Sequence, residues 1–213
     1  MGPAIEAKQR LGQKATKIGM RTWLIWLTLL VILKAPVLVA TGSPYLGYRS
    51  VVYVVAGFAG IVALSLLCLQ PLLATNLLPD LRPSTSRRLH QWLGMALVSL
   101  VLVHVTGLWI TSPPDVVDAL LLQSPTPFSI WGVLAMWALF AAALLAAMRR
   151  KLKFAPRMWR LCHLGLVSVT VVGTVLHALL IEGAMELTTK IMICAAAVLA
   201  ILWALSRQVS SSQ

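Results

Sequence analysis

This chain of 213 residues carries four histidines, and they fall into two pairs with one spacing. His90 and His104 stand 14 residues apart in the apolar stretch RRLHQWLGMALVSLVLVH. His163 and His177 repeat the interval in RLCHLGLVSVTVVGTVLH, and an arginine, Arg87 or Arg160, stands three residues before the first histidine of each pair. On a helix that interval rises about 21 Å, and it makes about four turns at the ~3.5 residues per turn of a supercoiled bundle. Each pair therefore occupies one helix face at two heights. Ionisable groups are expensive in a hydrophobic span and mark functional positions, and a neutral imidazole can meet that cost by giving a nitrogen lone pair to a metal. Zinc prefers four ligands in a compact tetrahedron. Two imidazoles facing across a gap suit instead the axial positions of a flat macrocycle, haem. If the two stretches face each other, His90 opposes His163 and His104 opposes His177, giving two stacked sites.

The elements that must hold these residues follow from composition. Hydrophobic residues make up 59 % of the chain and charged residues 11 %, against roughly 25 % charged in a soluble domain, so the class is a polytopic membrane protein. Apolar runs over about 22–40, 50–73, 89–110, 128–148, 161–181 and 187–205 each supply the ~20 residues that cross a bilayer. The expected fold is all-α, a bundle of six transmembrane helices over 22–205. A basic cytoplasmic arm (1–21) precedes it and a short cytoplasmic tail (206–213) follows. The middle of the 111–127 loop, VVDALLLQ, reads as a short surface helix.

A net charge of +12 would suggest nucleic acid in a soluble chain, but here the cations cluster between spans, where they meet anionic lipid. Nucleic acid is excluded as a partner. The N-terminal arm and the loops holding Arg82, Arg87, Arg88 and 149–160 are basic, whereas the alternate loops carry Asp115, Asp118, Glu182 and Glu186 with Arg49 as their one cation. By the positive-inside rule both termini lie in the cytoplasm. Arg87 and Arg160 can pair with haem propionates at the inner surface or anchor at headgroups. Lys34 and Lys190 read as snorkelling cations, Trp159 and most other tryptophans as an interfacial belt, and Cys68, Cys162 and Cys194 as small apolar packing residues. Gly94, Gly107 and Gly173 fall on the histidine face, where a missing side chain lets a ring approach; close helix packing is the simpler account of each taken alone.

Six spans with R-x-x-H-x13-H occurring on the third and again on the fifth resemble the ferric reductase-like transmembrane domain, over about 22–205. That superfamily includes ferric reductases, NADPH oxidases and the haem subunit of the bacterial periplasmic methionine-sulfoxide reductase system. The resemblance implies a b-type haem protein; the count of two haems, held by His90 with His163 and His104 with His177, rests on this sequence's own four histidines. The resemblance also implies electron transfer from a cytoplasmic flavin to an acceptor on the outer side, and residence in a bacterial inner membrane. The larger members continue into FAD- and NADPH-binding domains. No Gly-rich dinucleotide fingerprint occurs in this sequence, so the expectation is an electron-transfer subunit served by a separate cytoplasmic flavin reductase. Two rivals stand beside it: a quinol-linked cytochrome b subunit of a respiratory complex, and a haem-free metal transporter.

Overall fold

The computed structural model describes residues 19–210, and side chains as far as residue 207. The basic arm expected over 1–21 lies outside this range except for 19–21. Eight α-helices are present among the described residues: α1 (Met20–Thr41), α2 (Val51–Ala74), α3 (Pro83–Thr111), α4 (Pro113–Leu120), α5 (Pro127–Ala147), α6 (Arg149–Leu152), α7 (Pro156–Leu180) and α8 (Leu187–Ser210). Six of them, α1, α2, α3, α5, α7 and α8, are long and apolar enough to cross a bilayer, and the chain is an integral membrane protein. Helix is the form expected, because lipid leaves backbone N–H and C=O groups no partners outside their own segment. The short α4 lies where a surface helix was expected.

Local chemistry sets the ends. Proline stands in the first turn of α3, α4, α5 and α7, where its missing N–H costs nothing and its φ is already helical. As a result α3 and α7 begin several residues before the apolar runs do, and Arg87 and Arg160 lie on helix rather than in loops. Ser50 caps α2 by accepting from Tyr53 N–H at 3.3 Å.

The helices form a ring in the order α2, α3, α5, α7, α8 and back to α2, with α1 outside against the α2–α8 seam. The longest contacts are within two antiparallel hairpins, α2 along α3 and α5 along α7. The two histidine helices, α3 and α7, do not pack along each other; they face across the ring. Its core joins Leu64, Leu67 and Cys68 of α2 with Leu97 of α3, Val171 and Val175 of α7, and Ile193 and Ala197 of α8. Ser86, 1 % exposed, donates to the Leu73 carbonyl at 2.8 Å and fixes the start of α3 against the end of α2. That contact sits one turn before His90.

Candidate haem-binding levels

At the level of His104 and His177, named outer here after the orientation expected from loop charge (that of His90 and His163 being the inner), the two imidazoles meet. The rings of His104 and His177 have centroids 6.5 Å apart and planes at 80°. Each is held from behind by a backbone carbonyl of its own hairpin partner: His104 Nδ1 lies 2.8 Å from Ala56 O, and His177 Nδ1 lies 2.9 Å from Phe128 O. A carbonyl can only accept, so Nδ1 must carry the proton in both rings, and Nε2 keeps its lone pair. This is the arrangement by which an outer hydrogen bond fixes a metal-ligating histidine.

The approach of each ring to a helix backbone requires a missing side chain. A Cβ on Gly132 would stand 2.7 Å from His177 Nδ1, and one on Gly60 3.0 Å from His104 Nδ1. Both glycines lie one turn beyond the carbonyl that their histidine uses. Gly107 and Gly173 serve helix packing instead: their Cβ positions fall 2.7 Å from Ala56 Cβ and 2.9 Å from Trp131 O. A Cβ on Gly94 would meet nothing within 4 Å, so there is room for a methyl group one turn from His90.

At the inner level the pair is looser. His90 Nδ1 lies 3.3 Å from Gln70 O. His163 Nδ1 is buried with no hydrogen-bond partner, near the backbone of Ala142. His90 and His163 are not in ring contact. His163 instead stacks on Trp159, centroids 5.1 Å apart and planes at 9°, while Arg149 covers that indole at 4.5 Å. Trp159 Nε1 also donates to Leu145 O at 3.2 Å. This tryptophan is therefore a support for His163 rather than a simple belt residue, and its place four residues earlier on the same helix is the signal that would have found it.

Between the levels, Leu97 and Thr170 stand midway between the histidines of their helices, 4 % and 3 % exposed. Both are buried at mid-height, between the two histidine levels.

Arg87 and Arg160 are exposed at the inner ends of α3 and α7, and Arg160 Nε donates to Pro156 O at 3.3 Å; neither is brought into contact with a histidine. Lys190 departs from the expected snorkelling: it is 6 % exposed and donates to the Ile181 carbonyl at 2.8 Å, capping the end of α7 just beyond His177. Cys68 and Cys194 are buried in the core as expected, but Cys162 is exposed.

The outer level can be tested for fit to a metal. A metal–imidazole bond of about 2 Å added to a ring radius of about 1.2 Å from ordinary bond lengths puts two rings that share one ion at a centroid separation of about 6.4 Å. The 6.5 Å found is close to that. No group of three or more His, Cys, Asp or Glu residues that could hold a metal occurs among the described residues, and a metal placed between two histidines would need its other ligands from elsewhere. A porphyrin supplies four.

The family model described as ferric reductase like transmembrane component matches residues 59–174, more than half of the chain. The match takes in His90, His104 and His163 and stops short of His177. No curated protein and no solved structure matches the chain.

Proposed function

Because the chain belongs to the ferric reductase-like transmembrane component family, we propose that it carries electrons through the bilayer between two b-type haems, from a cytoplasmic flavin donor to an acceptor on the outer side. The observation that carries this reading is the outer imidazole pair, 6.5 Å apart with both Nδ1 atoms engaged by carbonyls. In this reading His104 and His177 hold the outer haem and His90 and His163 the inner one. Haem held by two imidazoles would supply a one-electron iron couple suited to outer-sphere transfer.

The protein's own part is positional. The carbonyls of Ala56 and Phe128 hold the outer imidazoles in the ligating tautomer, and Gly60 and Gly132 leave room for them to do so. Leu97 and Thr170 keep water out of the layer between the levels. The basic loops at 82–88 and 149–160 attract an anionic flavin or an acidic reductase, consistent with a cytoplasmic placement of those loops. Transfer of negative charge outward across an inside-negative membrane is then favoured by about 2.3 kcal/mol per 100 mV. Arg87 and Arg160, exposed at the inner rim, are placed to meet the charged edge of the inner group or the headgroups.

The test is a reduced-minus-oxidised spectrum of the purified protein with haem counted per chain. Replacing His104 or His177 by Ala removes one haem and leaves the other; His90→Ala and His163→Ala remove its counterpart. A spectrum unchanged by loss of both His104 and His177 overturns the assignment.

A further inference from the structure

We propose that Gln70 is a positioning residue for His90: its side-chain amide selects which nitrogen of that imidazole carries the proton, and it makes the inner level electronically unlike the outer one. This rests on the haem reading above.

Gln70 lies in the last turns of α2 and is 6 % exposed, so its amide cannot look to water for partners, and leaving it unpaired would be costly. It is wedged against α3 at His90. Hydrogen bonding decides the orientation of such an amide. The orientation that satisfies both ends places Nε2 2.6 Å from His90 Nδ1 and 3.2 Å from His90 O, with Oε1 3.0 Å from Gly94 N. In that state Nδ1 accepts, the imidazole proton sits on Nε2, and no lone pair remains for a metal.

Ligation requires the other state. Reversed, the amide places Oε1 at the same 2.6 Å position, where it accepts from Nδ1–H and frees Nε2. The Gln70 backbone carbonyl, 3.3 Å from Nδ1, favours this tautomer too. The reversal turns Oε1 towards the His90 carbonyl and the NH2 group towards the Gly94 N–H, contacts that oppose it. Thus His90 alone among the four histidines has a side-chain amide at Nδ1 that can either block or reinforce ligation. His104 and His177 face carbonyls, which cannot reverse. In the second hairpin the residue in register with Gln70 is Ala142, which has no polar side chain.

Once His90 ligates, an acceptor at 2.6 Å draws on Nδ1–H and makes the imidazole a stronger donor, which stabilises ferric over ferrous iron. Removing the acceptor has the opposite effect, and a carboxylate in its place exaggerates it. Potentiometric titration of the visible spectrum therefore separates the variants by sign. Gln70→Glu is expected to lower the midpoint of the inner haem and Gln70→Leu to raise it, while the outer midpoint stays where it was. A tenfold change in the relative stabilisation of the two oxidation states corresponds to about 59 mV, which such a titration resolves. Gln70→Asn keeps a buried amide but withdraws it by one methylene, and it is expected to follow Gln70→Leu; it keeps the test decisive if Gln70→Glu does not assemble. Shifts of the same sign in the Glu and Leu variants, or none in any variant, overturn the role of Gln70. Wild-type protein that binds no haem overturns the functional reading instead.

Discussion

Gly132→Ala adds one methyl group at the point where α5 touches the outer site, and its effect can be worked from distances. The new Cβ would stand 2.7, 3.0 and 3.3 Å from Nδ1, Cε1 and Cγ of His177, where comfortable contact is about 3.5–4.0 Å. The ring must retreat by close to an ångström. That displacement breaks the 2.9 Å bond to Phe128 O, worth about 0.5–1.5 kcal/mol, and overpacking adds about 1–3 kcal/mol. Against these, alanine is the better helix former by about 1 kcal/mol. The losses win, by about 1–3 kcal/mol. More important for function, the freed ring loses its tautomer lock and its alignment with His104. The expected result is loss of the outer haem with retention of the inner one, read as haem per chain and in the reduced-minus-oxidised spectrum. Gly60→Ala meets His104 Nδ1 at 3.0 Å and should weaken the same haem less. Gly165→Ala, whose Cβ meets nothing within 4 Å, is the control and should be neutral or slightly stabilising. A Gly132→Ala protein with both haems and an unchanged outer midpoint would refute the reasoning.

Two further outcomes follow from the inner level. Gly94→Ala adds a Cβ that meets no protein atom within 4 Å, so it should leave the thermal stability of haem-free protein unchanged or slightly raised while lowering inner-haem content; equal haem content in variant and wild type would show that no haem approaches this face. Trp159→Leu removes the stack on His163 and the bond to Leu145 O, together about 1–3 kcal/mol. It should weaken inner-haem retention about tenfold or more on dilution in detergent, with Trp159→Phe intermediate.

The six spans were legible because lipid imposes a length and a composition that a sequence cannot hide. The ends of α3 and α7 were less so: the turns after Pro83 and Pro156 are polar, and nothing in their hydropathy separates a helix that emerges from the bilayer from a loop. The histidines were legible as a pattern, since a rare residue repeated at one interval is visible without a structure. Their supports were not. The groups that hold His104 and His177 are carbonyls of Ala56 and Phe128, and a backbone oxygen leaves no letter in the sequence. Gly60 and Gly132 are two of 13 glycines, and only the fold tells them from Gly107 and Gly173, which separate helices rather than admit rings. Gln70 was readable in principle, as a lone amide deep in an apolar run; what could not be read was that the turn through Ser86 would bring His90 beside it.

The supports have an order of their own. Ala56 and Gln70 are 14 residues apart on α2, as His104 and His90 are on α3; Phe128 and Ala142 repeat the interval on α5 opposite His177 and His163 on α7. In an antiparallel pair of helices a step up one is matched by a step down the other, so one register per hairpin sets both contacts at once. The four imidazoles are thus governed by two registers. The contact from Ser86 to Leu73 fixes one of them, and close packing at Gly173 against Trp131 and Ala135 fixes the other. A site built this way is preorganised by helix packing before any cofactor arrives. The levels then differ only in what the side chains add to a repeated backbone frame. Gly60 and Gly132 admit the outer rings fully to their carbonyls. Gln70 and Trp159 intervene at the inner ones, and it is at that end, nearer the basic loops, that the electronic properties of the pathway are open to adjustment.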